Sequence, residues 1–292
     1  MHNHEIQPFL APNSAATSPP QLAAPANSCD CHLHIFDPAF TPAAAGAPAA
    51  EQGTAADYRQ LQHCLGISRA VIVQAKYYGT DNSCLVDAID RLGRQNSRGI
   101  AVVHPQVSDA ELRRLDAAGI CGLRFSLWNP RDTVTTADMI EPLAKRIQQL
   151  GWHAQLHMSG DQIAAQESLL NRLPCPIVFD HMGRLPLGEG INHPAFAVIC
   201  RLIDRGSAWV KLSGAYLNTR TGPPAYADAS AVARAFAAAA PERVVWGSDW
   251  PHVTESRKPD DSLLFDLLSG WVPDAAARQL ALVDNPAVLY RF

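Results

Sequence analysis

Apolar residues are distributed along the 292-residue chain in two alternating patterns. Short β-branched or apolar runs recur at Cys31–Ile35, Ala70–Gln74, Ile100–His104, Gly122–Leu127, His153–Met158, Ile177–His181, Ala208–Ser213 and Val244–Asp249. Each is too short for a helix. Most are continuously apolar instead of alternating, which suits strands buried on both faces. Longer stretches with helical spacing lie between them. Leu85, Ile89 and Leu92 recur at i, i+4, i+7, and Leu143, Ile147 and Leu150 repeat that pattern; Asp109–Ala118, Asp161–Leu173, Pro194–Asp204 and Tyr226–Ala240 are further candidates. Eight strands separated by helices predict an α/β protein with a parallel sheet of βαβ units. Eight such units closing on themselves make a (β/α)8 TIM barrel, and the length suits one. A doubly wound open sheet is the alternative, but neither G-x-G-x-x-G nor a P-loop pattern follows the early strands.

The pattern begins only at residue 29. Residues 1–28 are rich in Ala, Pro, Ser and Asn and contain no Lys or Arg. Without a basic start or a 7–15-residue apolar block they are no secretory signal, and they are expected to form a disordered or loosely attached extension. His2 and His4 fall in it, and their H-x-H spacing carries little weight without a packed scaffold. The expected organisation is therefore this extension followed by one catalytic domain over 29–292, with Pro38 to Gly53 as a long loop.

Composition narrows the partners. With 24 Lys+Arg against 28 Asp+Glu and no basic run, nucleic acid is not expected as a partner. No apolar stretch approaches the ~18 residues that would span a bilayer, so no membrane association is expected. Seven scattered cysteines without a C-x-x-C pair suggest reduced thiols and a cytoplasmic enzyme, monomeric or homo-oligomeric.

Chemistry gathers at the predicted strand ends. His32 and His34 close strand one, and residues i and i+2 of a strand share a face, so both can converge on one atom. His157 stands near the end of strand five, His181 ends strand six and Asp249 ends strand eight. Imidazoles and a carboxylate meeting at the C-terminal mouth of a barrel suit zinc or a similar divalent ion. Taken singly, each has a plainer reading: a hydrogen-bonded structural histidine, or an aspartate capping a turn. The conjunction on four strand ends is what points to a site. A serine hydrolase is excluded as far as a sequence allows, because no G-x-S-x-G is present. Nothing but His32 stands ready to activate Cys31 as a nucleophile.

Those residues bring a resemblance with them. The stretches Asp30-Cys31-His32-Leu33-His34, Val73-Gln74-Ala75, Gly122-Leu123-Arg124-Phe125, Phe179-Asp180-His181-Met182-Gly183-Arg184 and Val245-Trp246-Gly247-Ser248-Asp249-Trp250-Pro251-His252 resemble the amidohydrolase superfamily, in its amidohydrolase-2 branch. That branch contains 2-pyrone-4,6-dicarboxylate lactonase, 4-sulfomuconolactone hydrolase and galactarolactone isomerase. The resemblance runs from about Asp30 to the C-terminus. It implies a barrel in which His32, His34, His181 and Asp249 carry hydrolysis, Asp249 taking a proton from water while the histidines, or a metal they hold, polarise a lactone carbonyl. Arg124 stands where two-metal members carry a bridging lysine or glutamate, so a binuclear site is not expected. His157 matches the mononuclear pattern, which implies one divalent ion on His32, His34, His157 and Asp249; the dicarboxylate lactonase, by contrast, works without metal. The intact H-x-H and the strand-eight aspartate favour hydrolysis over isomerisation.

Cations set the expected substrate. Arg124, inside an apolar strand, needs an anionic partner, and it matches the arginine that holds a substrate carboxylate in the resembling lactonase. Lys76 follows strand two, and Arg131 and Arg220 lie in loops after strands four and seven. Tyr77, Tyr78 and Tyr216 could contact a hydroxyl or carboxylate, or only line loops. His157 also belongs to this substrate-facing set. Lys211 reads as a structural ion pair. The expected activity is hydrolysis of a small carboxylated lactone in breakdown of aromatic compounds or sugar acids. A zinc-dependent decarboxylase, a lactone isomerase and a non-catalytic binding protein are the alternatives.

Overall fold

The computed structural model describes residues 11–44, 47, 50–130 and 133–292. His2, His4 and Arg131 lie outside them. Eight parallel strands stand in sequence order around the axis: β1 (Cys29–Leu33), β2 (Arg69–Val73), β3 (Ser97–Ala101), β4 (Ile120–Ser126), β5 (His153–His157), β6 (Ile177–Phe179), β7 (Ala208–Leu212) and β8 (Val244–Trp246). The fold is the expected (β/α)8 barrel. Helices cover the outside, among them α1 (Ala55–Leu65), α2 (Ser83–Leu92), α3 (Asp109–Ala117) and α4 (Ile140–Ile147). Their boundaries follow from local chemistry. Thr54 and Asp57 form a reciprocal capping box that starts α1, and Gly66 at φ 70° ends it. Along α4, Ile140, Leu143, Ala144 and Ile147 fall on one buried face, as the i, i+3, i+4, i+7 spacing requires.

Closure between β8 and β1 sets the geometry of the mouth. Asp249 N donates to His32 O (2.7 Å), and His34 N donates to Trp250 O (2.8 Å). Only glycine can stand at 247, because a Cβ there would lie 2.7 Å from His32 Cβ and 2.8 Å from His32 N. Asp30 braces the same joint. Its carboxylate accepts from Ser248 N and Oγ, His32 N and Tyr58 OH. Burial nevertheless pushes its pKa up to about 6 against those donors.

The β1–β2 register slips between Asp30 and Leu33. A bulge of this kind re-aims side chains. Cys31 packs with Val71, Val73 and Val178 in the barrel interior, while the next residue, His32, reaches Asp180 and Lys211 across it.

The strand ends differ from expectation by one to three residues, and three of the strands show why. β3 begins at Ser97, three residues before the apolar run, because polar Ser97 and Arg98 still pair with β2. β6 and β8 stop at Phe179 and Trp246, before the residues that carry chemistry. His181, Met182, Arg184 and Asp249 have positive φ (49°, 56°, 46° and 65°), which no strand accommodates.

The expected disorder through residue 28 does not describe residues 11–28. That segment lies against the barrel: Trp250 Nε1 donates to Pro12 O (2.6 Å), Asp261 N to Ser14 Oγ (3.2 Å), and Leu22 N to Asp266 Oδ1 (2.8 Å). Ala11 and Ala16 are buried. Composition signalled a poor core former, but it cannot register backbone groups that bond to the loop after β8 and the helix Asp261–Trp271. No helix among the described residues is long and apolar enough to cross a membrane.

Candidate active site

Six strand ends and the turns after them bring their polar side chains to one mouth. Asp249 Oδ1 lies 3.5 Å from His32 Nε2, 3.7 Å from His34 Nε2 and 3.9 Å from His181 Nε2. The two histidine Nε2 atoms of β1 are 3.3 Å apart. All four residues are buried.

Each imidazole is fixed from behind. His34 Nδ1 lies 2.8 Å from Val73 O, His181 Nδ1 lies 2.9 Å from Ser213 Oγ, and His157 Nδ1 lies 3.1 Å from Ser126 Oγ. The left-handed turn 181–184 aims His181 at the mouth. Gly214, itself at φ 61°, leaves room for that ring, since a Cβ there would lie 2.8 Å from His181 Nδ1. Non-glycine residues in this region of φ/ψ store about 1–3 kcal/mol each, and such strain clusters at functional sites. Asp249 is held in the same way. Tyr216 OH donates to its Oδ2 (2.7 Å), and Tyr216 is in turn bonded to His252, which lies 3.1 Å from Asp261.

Below the histidines sits a fully buried ionic layer. Lys211 Nζ donates to Gln155 Oε1 (2.7 Å) and lies 3.2 Å from His32 Nδ1 and 3.6 Å from Asp180 Oδ1. Gln155 Nε2 donates to Asp180 Oδ2 (3.1 Å), and Asp180 Oδ1 lies 3.2 Å from His32 Nδ1. Arg124 Nε is 3.8 Å from Asp180 Oδ2, and its Nη1 donates to Gln74 O (3.4 Å). Two cations, Lys211 and Arg124, thus face two carboxylates, Asp180 and Asp249, which offsets part of the desolvation of each charge.

This environment disfavours the charged form of the histidines. Burial pushes His34 and His157 well below the usual imidazole range, with the Arg124 charge adding to it. Burial and then His32 do the same to His181. His32 is also lowered by burial, with Asp180 pulling the other way. Burial would raise Asp180, but His32 and Lys211 hold its carboxyl well below the ordinary range. Neutral imidazoles and carboxylates are what a divalent ion requires as ligands.

The donor set fits such an ion. His32, His34 and Asp249 offer ligand atoms within 4.8 Å of one another, as do His32, Asp180 and His181. The expected fourth ligand, His157, belongs to neither group. Its ring stacks on Trp128 (6.0 Å, 15°) and stands edge-on to His181 (5.3 Å), with Nε2 buried and without a hydrogen-bond partner. The Ser126 bond and the Trp128 stack hold it to the β4–β5 side of the mouth.

The expected cations are less unified. Arg124 is buried beside the histidines, and Asp180 supplies part of the anionic partner the sequence seemed to demand from a ligand. Lys76 opens the turn Lys76–Tyr78 after β2. Tyr77 packs on Phe36 and Tyr78, and its hydroxyl accepts from Ala50 N (3.4 Å), so it ties down the loop after β1. Arg220 is exposed on the loop after β7, where its backbone N donates to Asp228. It does not join the cluster.

The expected ion pair of Lys211 is present, with Asp180 as its partner; sequence reading missed the roles of Asp180, Gln155, His252 and the Trp128–Arg184 wall, in which the guanidinium lies 3.9 Å from the ring centre. Only Asp180 carried a signal, since it lies two residues beyond inward-facing Val178.

The barrel and its histidine–aspartate mouth define an amidohydrolase-type scaffold, and residues 29–292 match the amidohydrolase family profile. The chain belongs to that family and is an enzyme of the amidohydrolase superfamily. It is 35% identical to 2-pyrone-4,6-dicarboxylate hydrolase of Comamonas testosteroni, over 94% of this chain and 94% of that protein. It is also 35% identical to 4-sulfomuconolactone hydrolase of Rhizobium radiobacter, over 98% and 96%. The crystal structure of an Agrobacterium tumefaciens protein, solved without ligand, superposes with a TM-score of 0.87 at 31% identity, covering 95% of this chain and 98% of that one.

Proposed function

We propose that this enzyme hydrolyses a small carboxylated lactone. The observation that carries the reading is the convergence of three histidine Nε2 atoms on one Asp249 oxygen at 3.5–3.9 Å, with the Arg124 guanidinium buried alongside. Relatives of the same family that share about a third of the sequence are hydrolases of a pyrone dicarboxylate and of a sulfomuconolactone.

In this mechanism the lactone carbonyl oxygen enters the histidine cluster and the substrate carboxylate pairs with Arg124. Asp249 takes a proton from water as the water oxygen attacks the carbonyl carbon. Charge developing on the carbonyl oxygen is stabilised by the His32 and His181 side, which is already rigid and dry, while His34 orients His32. Collapse breaks the bond to the ring oxygen, and the Asp249 proton passes to that oxygen, giving the hydroxy acid or its enol and restoring the carboxylate. Tyr216 keeps Asp249 Oδ1 turned to the mouth throughout. A divalent ion, held by His32, His34 and Asp249, would supply Lewis-acid polarisation of the same carbonyl.

The test is a lactone panel of pyrone dicarboxylate, muconolactones and sugar-acid lactones, assayed with and without chelator and with product analysis. Ring opening with uptake of one water is the expected outcome for at least one anionic lactone. Release of CO2, or double-bond migration without water uptake, would replace hydrolysis by decarboxylation or isomerisation.

A further inference from the structure

Four contacts fix where the ring protons of the β1 histidines reside. Val73 O can only accept, so His34 Nδ1, 2.8 Å away, carries the proton, and His34 Nε2 is an acceptor. His32 Nε2 lies 3.3 Å from that acceptor and therefore donates to it. A neutral His32 then has a bare Nδ1, and Lys211 Nζ stands 3.2 Å from it as a donor. Lys211 is fully buried and is itself aimed by Gln155 Oε1 (2.7 Å). Asp180 Oδ1 lies at 3.2 Å from the same His32 nitrogen and 3.6 Å from Lys211 Nζ, so it competes with Lys211 for that nitrogen.

We propose that Lys211 is a positioning residue that selects the tautomer of His32. It holds His32 with its proton on Nε2, so that the ring presents a donor and not a lone pair at the mouth; Asp180 Oδ1 is the second partner, which accepts the hydrogen bond from Nδ1–H in the other tautomer, the one that leaves the Nε2 lone pair free for a divalent cation. The pair Lys211–Asp180 thereby sets how strongly the site favours direct carbonyl hydrogen bonding over metal binding. The inference deepens the proposed function, since it rests on His32 facing the reacting carbonyl. Removing Lys211 should release His32 to the Asp180-bonded tautomer, and removing the Asp180 charge should trap it in the Lys211-bonded one. Partners behind a metal-binding histidine typically change metal affinity by ~10- to 100-fold.

The experiment reads both states without lactone. Protein labelled with 15N at histidine, stripped with chelator, should show His32 protonated at Nε2 and bare at Nδ1 in two-bond 15N–1H correlations. In Lys211→Met the His32 proton should move to Nδ1, and zinc affinity by calorimetric titration should rise about 10-fold or more. In Asp180→Asn the tautomer should stay as in the wild type, and zinc affinity should fall by a similar factor. A wild-type His32 protonated at Nδ1 overturns the proposal, and so do zinc affinities that move in the same direction in both variants. If Lys211→Met fails to fold, the wild-type spectrum alone decides. No readout depends on turnover, so failure to hydrolyse any lactone overturns the proposed function and leaves this inference to its own test.

Discussion

Val178 and Asp180 are two residues apart on the segment that enters the barrel interior at β6, and they belong to opposite worlds. Val178 packs with Cys29, Cys31, Val71, Val73, Ile100 and Val245 in a layer closed below by Tyr290, which stands edge-on to His153 (5.5 Å). Asp180 meets His32, Gln155, Arg124 and Lys211 in the layer above. The lower layer is what any barrel builds from β-branched side chains. The upper layer gathers charges that burial disfavours, and replacing buried ion pairs by apolar residues is often neutral or stabilising. Its retention in this chain is therefore explained by chemistry and not by folding.

The difference predicts a double dissociation. Arg124→Met in the upper layer should lower kcat/KM on carboxylated lactones by roughly 2–4 kcal/mol, about 30- to 1,000-fold, while neutral lactones lose far less. The fold should persist, because Asp180 keeps Lys211 and Gln155. Equal losses on charged and neutral lactones would make Arg124 structural. Val178→Ala in the lower layer should do the reverse: about 1–3 kcal/mol of unfolding free energy in denaturant titration, with kcat within about twofold of wild type.

Gly247→Ala tests the seam where the layers meet. Its Cβ would press on backbone and side chain of His32, so it should cost about 1–3 kcal/mol in stability and lower kcat as well. A variant stable but inactive, or active but unstable, would separate what the close approach joins.

The smallest effect is on pH. Burial holds His34, His157 and His181 below their ordinary range. The unfolded chain takes up a proton at each near pH ~6.5, where the folded protein does not. Stability contributed above that pH is therefore lost as pH falls through it. Asp30, raised to about 6 by burial, acts in the opposite sense, since the folded protein protonates it first below that value. With His32 and His153, which burial also lowers, five histidines outweigh one carboxylate, so Tm should fall between pH 7 and 5. A flat or rising Tm would show that the imidazoles are not buried neutral.

Much of this was legible in the sequence, for reasons that also mark the limits. Continuous apolar runs announced the parallel strands, and H-x-H announced a shared face. The left-handed residues at 181–184 and Asp249 were invisible, since only glycine advertises positive φ and most of these are not glycine. The upper layer was hidden in part: His32, Arg124 and Lys211 stood out singly, but not their meeting. Lys211, Gln155 and Asp180 come from three different strand segments, and no periodicity along one chain reports that they meet. His157 stands at the expected strand end, and its partners Ser126, Trp128 and His181, from three other segments, are what no periodicity could report. The strap at 11–28 eluded composition because its attachment rests on backbone hydrogen bonds.

Asp249→Asn is the most direct measurement of the central claim. The substitution keeps the shape of the side chain and the Tyr216 contact while removing the base. On a lactone the wild type opens, the folded variant should show kcat reduced at least ~10²-fold with little change in Tm. Wild-type turnover by a folded Asp249→Asn protein would contradict the assignment of Asp249 as the group that takes the proton from water.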